Sequence, residues 1–120
     1  MCIRDSVLVV PSIRTNSFLE PWGLVANEAM LQRTPVIASD AVGAAAGGLV
    51  RDGTTGLTFP AGDSRALAAR LNALTAAPDL RRSLGDAAGE AALALTPDAW
   101  AGGMARALAL TGAGRSRGTC

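Results

Sequence analysis

Two kinds of apolar pattern divide the chain. Val7-Leu8-Val9-Val10 is a short unbroken run rich in β-branched residues, halted by Pro11-Ser12; such a run reads as a strand covered on both faces. Pro35-Val36-Ile37-Ala38-Ser39-Asp40 repeats it, and Leu57-Thr58-Phe59, closed by Pro60-Ala61-Gly62, supplies a third short strand after the turn cluster Arg51–Gly56. Between the first two strands, a loop runs from Pro11 to about Trp22. Leu24–Gln32 then carries good helix formers behind the start signals Pro21 and Gly23, with Leu24, Ala29 or Met30, and Leu31 able to face a core. Ala41–Val50 has room for one or two helical turns, weakened by Gly43, Gly47 and Gly48.

From Asp63 the period changes to that of helices. Asp63 is placed as an N-cap, and Leu67, Leu71 and Leu74 form one apolar stripe. Pro78 separates this helix from a second, in which Leu80, Leu84, Ala87 and Ala91 repeat the pattern. Thr96-Pro97 opens a last helix toward Leu110, with the cap followed by proline at the first helical position. Residues 111–120 have no apolar period and are expected to be disordered.

Strand, helix, strand, weak helix, strand and three helices is the alternation of βαβ units. The expected fold class is α/β, a partial Rossmann-like parallel sheet of about three strands with helices. A first strand of two-sided character and so thin a sheet point to part of a larger domain, with flanking strands elsewhere.

Composition sharpens this picture mainly by exclusion. The chain has 120 residues, 49% of them hydrophobic but only 3% aromatic, so its core is expected to be built from small aliphatic side chains. Net charge is +1, all basic residues are scattered arginines, and neither a nucleic-acid footprint nor a basic membrane patch appears. Cys2 and Cys120 stand in no metal-like spacing and give no disulfide framework, so a reducing, cytoplasmic setting is the default. No stretch reaches the ~20 apolar residues of a membrane span, and no signal-peptide core is present. With no histidine, a Ser/His or Cys/His nucleophile or a histidine base cannot be built from these residues.

The candidate chemistry lies in EPWGLVANE, residues 20–28, where two carboxylates bracket an apolar segment holding Trp22. On one straight helix, Glu20 and Glu28 would stand about 12 Å apart, too far to share a small group. Pro21 and Gly23 argue against that helix, leaving Glu20 in the loop and Glu28 in the second turn. The free amides around Gly23, Leu24 and Val25 then form an anion site, and the bare Gly23 lets a phosphate approach. The acids suit neutral hydroxyls on either side of it, so a diphosphate flanked by two polyols, the form of a nucleotide-sugar, fits. The plainer alternative keeps Glu20 an exposed loop acid, Glu28 a solvated helix acid and Trp22 a packing residue.

Five linked segments, VLVVPS, EPWGLVANEAM, TPVIASDAVGA, VRDGTTGLTFPAGD and DLRRSLGDAA, resemble in order and spacing the C-terminal part of family 4 retaining glycosyltransferases of the GT-B fold. The resemblance covers Val7 to about Leu110 and includes that family's E-x7-E pattern. It implies the C-terminal portion of a GT-B nucleotide-sugar-binding domain, in which Glu20 contacts the donor sugar's hydroxyls near the reacting carbon and is the catalytic candidate. Glu28 would hold the ribose hydroxyls, with backbone at Gly23 and Leu24 facing the diphosphate and Trp22 and Val25 within the same donor-binding stretch. It also implies retention of anomeric configuration, no metal, and no cofactor beyond the nucleotide-diphosphate sugar donor. The acceptor is an unspecified glycan, lipid or small molecule, and the setting is cytoplasmic or peripheral at the inner membrane face through an N-terminal domain.

Four departures qualify the resemblance. Leu31-Gln32-Arg33 stands where the family has Ala-Cys-Gly, so the first helix is expected to end less sharply. Ala46-Gly47-Gly48 replaces a proline and an acid, so no function is transferred to that loop. Met1–Ser6 resembles nothing in the family and reads as a non-native leader, and the family's acceptor domain and basic diphosphate-binding residues are not among these 120 residues. The chain alone is therefore expected to be inactive. Within the same architecture, sugar-nucleotide epimerases fit less well, because their acids and histidine come from other segments; the alternative of another class is a non-catalytic flavodoxin-like α/β binding or interaction module.

Overall fold

The computed structural model describes residues 7–112. The leader expected over residues 1–6 and nearly all of the expected tail lie outside them, as do both cysteines. Three parallel strands, β1 (Leu8–Val10), β2 (Val36–Ser39) and β3 (Leu57–Phe59), form one sheet in the order β1-β2-β3. Leu8, Val9 and Val10 face Val36, Ile37 and Ala38, and Ile37, Ala38 and Ser39 face Leu57, Thr58 and Phe59. Helix α1 (Leu24–Leu31) carries the chain from β1 to β2. The one-turn α2 (Gly43–Ala46) and the turn after it carry the chain on to β3. Helices α3 (Ser64–Ala76), α4 (Pro78–Leu93) and α5 (Pro97–Thr111) follow. The α/β parallel architecture expected from the alternation is the one observed.

Every residue of β2 is buried, as an unbroken aliphatic run predicts for a central strand. Its alternate side chains feed two cores. Val36 and Ala38 join Val10, Ala26, Met30, Val42 and Ala88 on one face, while Ile37 joins Leu57, Phe59, Leu74 and Leu84 on the other. The Asp63 cap is in place, its carboxylate accepting the Ala66 amide at 2.9 Å, and Leu67, Leu71 and Leu74 face inward as their spacing requires. Thr96 caps α5 in the same way, accepting the Ala99 amide at 3.1 Å. No residue of α5 is buried, and Trp100, Met104 and Leu108 lie exposed along it.

Two helix faces differ from expectation. In α1 the buried residues are Ala26 and Met30, while Leu24 and Leu31 are 71% and 50% exposed. Apart from Asn27 and Glu28 the segment is apolar, with Leu24, Val25, Ala26, Ala29, Met30 and Leu31 spread around the helix, so its own pattern does not select a face. In α4 the buried stripe is Leu84, Gly85, Ala88, Gly89 and Ala92, with Leu80 exposed and Ala87 and Ala91 half-buried. Apart from Leu84 the stripe consists of glycine and alanine, because the end of α1 and Arg33 come very close. A Cβ on Gly85 would strike the Arg33 carbonyl oxygen, and one on Gly89 would sit 2.9 Å from Arg33 Cγ and 3.4 Å from the Met30 oxygen.

The end of α1 is also sharper than expected. Arg33 adopts φ 57, the left-handed conformation usually left to glycine. The Thr34 amide donates to the Ala29 carbonyl and the Arg33 amide to that of Met30, each at 2.9 Å, the paired bonds of a Schellman stop. The Arg33 side chain reaches α4, where Asp86 Oδ1 and Glu90 Oε1 each lie 3.2 Å from a guanidinium nitrogen. These bonds, Asp86 first, raise the Arg33 pKa above its ordinary value.

Candidate functional site

The EPWG segment lies across the start of α2 and is held there by backbone. The Gly43 amide donates to the Glu20 carbonyl at 3.3 Å and the Ala44 amide to the Trp22 carbonyl at 2.8 Å, so the loop supplies acceptors that the first turn of α2 needs. The approach is close: a Cβ on Gly43 would collide with the Pro21 carbonyl and fall 2.8 Å from Trp22 Cα. The loop from Ala41 to Val50, which sequence alone gave no role, is thus the platform on which EPWG rests.

Gly23 is the N-cap of α1, at φ 83 and ψ 67, and no side chain caps that helix. Its conformation is left-handed, which costs an ordinary residue about 1–2 kcal/mol. A Cβ there would also lie 3.1 Å from Val42 Cγ1, with Glu20 Cγ and Val10 Cγ1 at 3.8 Å. The bare glycine opens a depression of about 460 Å³ lined by Val10, Glu20, Pro21, Trp22, Gly23, Leu24 and Val25. Leu24 and Val25, the first residues of α1, line it, and among the described residues lining it the half-buried Glu20 is the one that carries a charge.

Of the residues singled out from sequence, the structure brings Glu20, Trp22, Gly23, Leu24 and Val25 together around this depression. Glu28 is not part of the lining; it stands exposed in the second turn of α1. Trp22 is largely engaged in packing. Its indole Nε1 donates to Asn27 Oδ1 at 2.6 Å, and its ring rests where a Cβ on Gly47 would come within 2.7 Å of Cζ3. Sequence reasoning missed Val10, Asn27, Val42 and Gly43. The glycine in VGA was a visible signal, because it interrupts an alanine run that would otherwise favour helix. Asn27 carried none, since its partner is fixed only by the turn at Gly23.

A second depression of about 450 Å³ at the α4–α5 junction is lined by Leu95, Thr96, Pro97, Ala99 and Trp100. None of the described residues lining it is titratable, so candidate chemistry centres on the start of α1. Among the described residues, no group of three or more His, Cys, Asp or Glu could hold a metal ion, and no helix is long and apolar enough to cross a membrane.

Residues 3–91 match the family model described as glycosyl transferases group 1. The chain belongs to that family. The matched span of this group 1 glycosyl transferase chain takes in the depression, all three strands and most of α4. It is 45% identical over 86 residues to a D-inositol 3-phosphate glycosyltransferase of Streptomyces coelicolor and 42% identical over 86 residues to that of Streptomyces bingchenggensis. Each alignment covers 69% of the chain and 17% of the relative, so the chain spans about a sixth of the length of these curated relatives. A solved structure of sucrose-phosphate synthase from Thermosynechococcus elongatus superposes with a TM-score of 0.70 at 38% identity, over 91% of this chain and 26% of that one. These likenesses support a glycosyltransferase of the GT-B architecture.

Proposed function

We propose that this chain forms part of the donor site of a family 4 retaining glycosyltransferase, which moves a sugar from a nucleotide-diphosphate sugar to an acceptor hydroxyl. The observation that carries the reading is the depression itself, where an uncapped helix start, a bare left-handed glycine and one half-buried carboxylate converge. The amides of Leu24 and Val25 suit the diphosphate, since a helix N-terminus favours an anion. Glu20 accepts hydrogen bonds from the donor sugar's hydroxyls beside the anomeric carbon. Glu28, on the outer side of α1, takes the ribose hydroxyls.

In the reaction, the bond from the anomeric carbon to the diphosphate oxygen breaks and a bond to the acceptor oxygen forms on the same face. The acceptor's proton passes to the leaving phosphate, so no histidine base is required. The donor is the only small molecule this site requires, without a metal or cofactor. The acceptor is a glycan, lipid or small molecule engaged by other parts of the whole protein, which works in the cytoplasm or at the inner face of the membrane.

Thermal unfolding of the chain with UDP-, GDP- and ADP-sugars tests this. Ligand at ten times its Kd stabilises the folded state by about 1.4 kcal/mol, a rise of roughly 6 °C for a domain of this size. Glu28→Ala should abolish most of that rise. In the whole protein, Glu20→Ala should lower turnover more than nucleotide affinity. No rise with any of the three sugars, together with unchanged kinetics in both variants, would sink the proposal.

A further inference from the structure

Asn27 sits in the second turn of α1, half-buried, with its side chain turned back over the start of its own helix. An indole N–H can only donate, so Asn27 must present its carbonyl oxygen, and the 2.6 Å bond fixes which way the amide faces. Trp22 is thereby held at three points: its indole nitrogen by α1, its ring against Gly47, and its carbonyl by the Ala44 amide of α2. The residue that follows is Gly23, whose left-handed turn sets the direction of the first amides of α1. Glu20 and Trp22 are therefore tied to α2 through backbone, Trp22 is tied to α1 through the Asn27 side chain, and Gly23 runs on into α1 with its carbonyl accepting the Ala26 amide at 2.9 Å.

We propose that Asn27 is a positioning residue for the donor site: it holds the Trp22 indole, and through it the Gly23–Val25 turn that faces the diphosphate. The inference rests on the donor-site reading above. Without the Asn27 acceptor, a half-buried indole N–H turns toward water, and the ring can follow only by leaving Gly47. The turn then loses its side-chain tie to α1 while its backbone bonds to α2 remain. The site is loosened without the sheet being touched.

The test uses the 15N-labelled chain, its Asn27→Leu and Trp22→Phe variants and the double variant, each titrated with UDP-, GDP- and ADP-glucose and followed through backbone amide resonances. Trp22→Phe keeps a ring and removes the donor, so both single changes delete one bond. In the wild-type chain, the Trp22 indole proton should exchange more slowly than that of the exposed Trp100. Without ligand, Asn27→Leu should shift the amides of Gly23, Leu24, Val25 and Ala44 and leave Leu67–Leu74 of α3 in place. Each single variant should weaken nucleotide-sugar binding about tenfold, and the double variant no more than the weaker single.

Unmoved amides at Gly23–Val25, unchanged affinity in Asn27→Leu, or fully additive losses in the double variant would each overturn the role of Asn27 while leaving the donor site standing. Failure of the wild-type chain to bind any of the three sugars would instead overturn the donor-site reading. The ligand-free shifts at Gly23–Val25 then decide alone whether Asn27 sets the turn.

Discussion

Helix α1 starts and stops on left-handed residues, Gly23 at φ 83 and Arg33 at φ 57, and the two ends treat a side chain in opposite ways. At Gly23 a Cβ would press on Val42 at 3.1 Å and fill the space in front of the first helical amides. At Arg33 the side chain projects outward along α4 to Asp86 and Glu90. Positive φ therefore does not by itself demand glycine. It demands glycine where the surroundings are also occupied, by protein or by a ligand that must reach the backbone. The glycine needed at the far end has moved to the partner helix, where Gly85 and Gly89 make room for Arg33.

The largest expected effects come from filling the two close approaches. In Gly43→Ala the new methyl meets the Pro21 carbonyl, and in Gly85→Ala it meets that of Arg33; backbone gives less readily than side chains. Each should cost about 3 kcal/mol or more, a fall in Tm of at least roughly 12 °C by circular dichroism. The pair separates the two ends of α1. At temperatures where both variants are folded, Gly43→Ala should lose nucleotide-sugar binding and Gly85→Ala should keep it. Equal loss in both would show that the site depends on the α1–α4 seam as much as on α2.

Gly23→Ala should have a smaller effect on stability. The left-handed backbone costs about 1–2 kcal/mol, and the tight contact with the flexible end of Val42 adds a little, for a fall of roughly 6–10 °C. Its effect on binding should exceed that on stability, because the methyl occupies the depression itself. A variant that binds as wild type would place the diphosphate away from Gly23.

Which of these features could be read in advance follows from how local they are. The strands were legible because Val36–Ala38 and its neighbours are unbroken aliphatic runs, and the caps Asp63 and Thr96 because they act within three residues of themselves. The depression was legible for the same reason, since Glu20–Val25 are contiguous. Glu28, grouped with Glu20 by the E-x7-E resemblance, stands outside the lining on the exposed side of α1. The buried faces of α1 and α4 were not legible, because one has apolar residues spread around most of its circumference and the other hides its contact surface in glycine and alanine. Asn27 and Gly43 act on residues brought to them by turns and crossovers, and no periodicity marks such partners.

The smallest effect sharpens the other end of the comparison. Arg33→Gly removes the strain of a left-handed arginine and, with it, two exposed ion pairs to α4. At 0.05 M salt these changes oppose each other, so Tm should stay within about 3 °C of wild type. At 1 M salt the screening length falls to about 3 Å, the wild-type chain loses most of its ion-pair contribution, and its backbone strain remains. The variant should then melt higher than wild type, with the difference growing steadily as salt rises. A difference independent of salt would mean that Asp86 and Glu90 contribute nothing, and that the Schellman bonds and the Gly85 contact alone hold Arg33 in place.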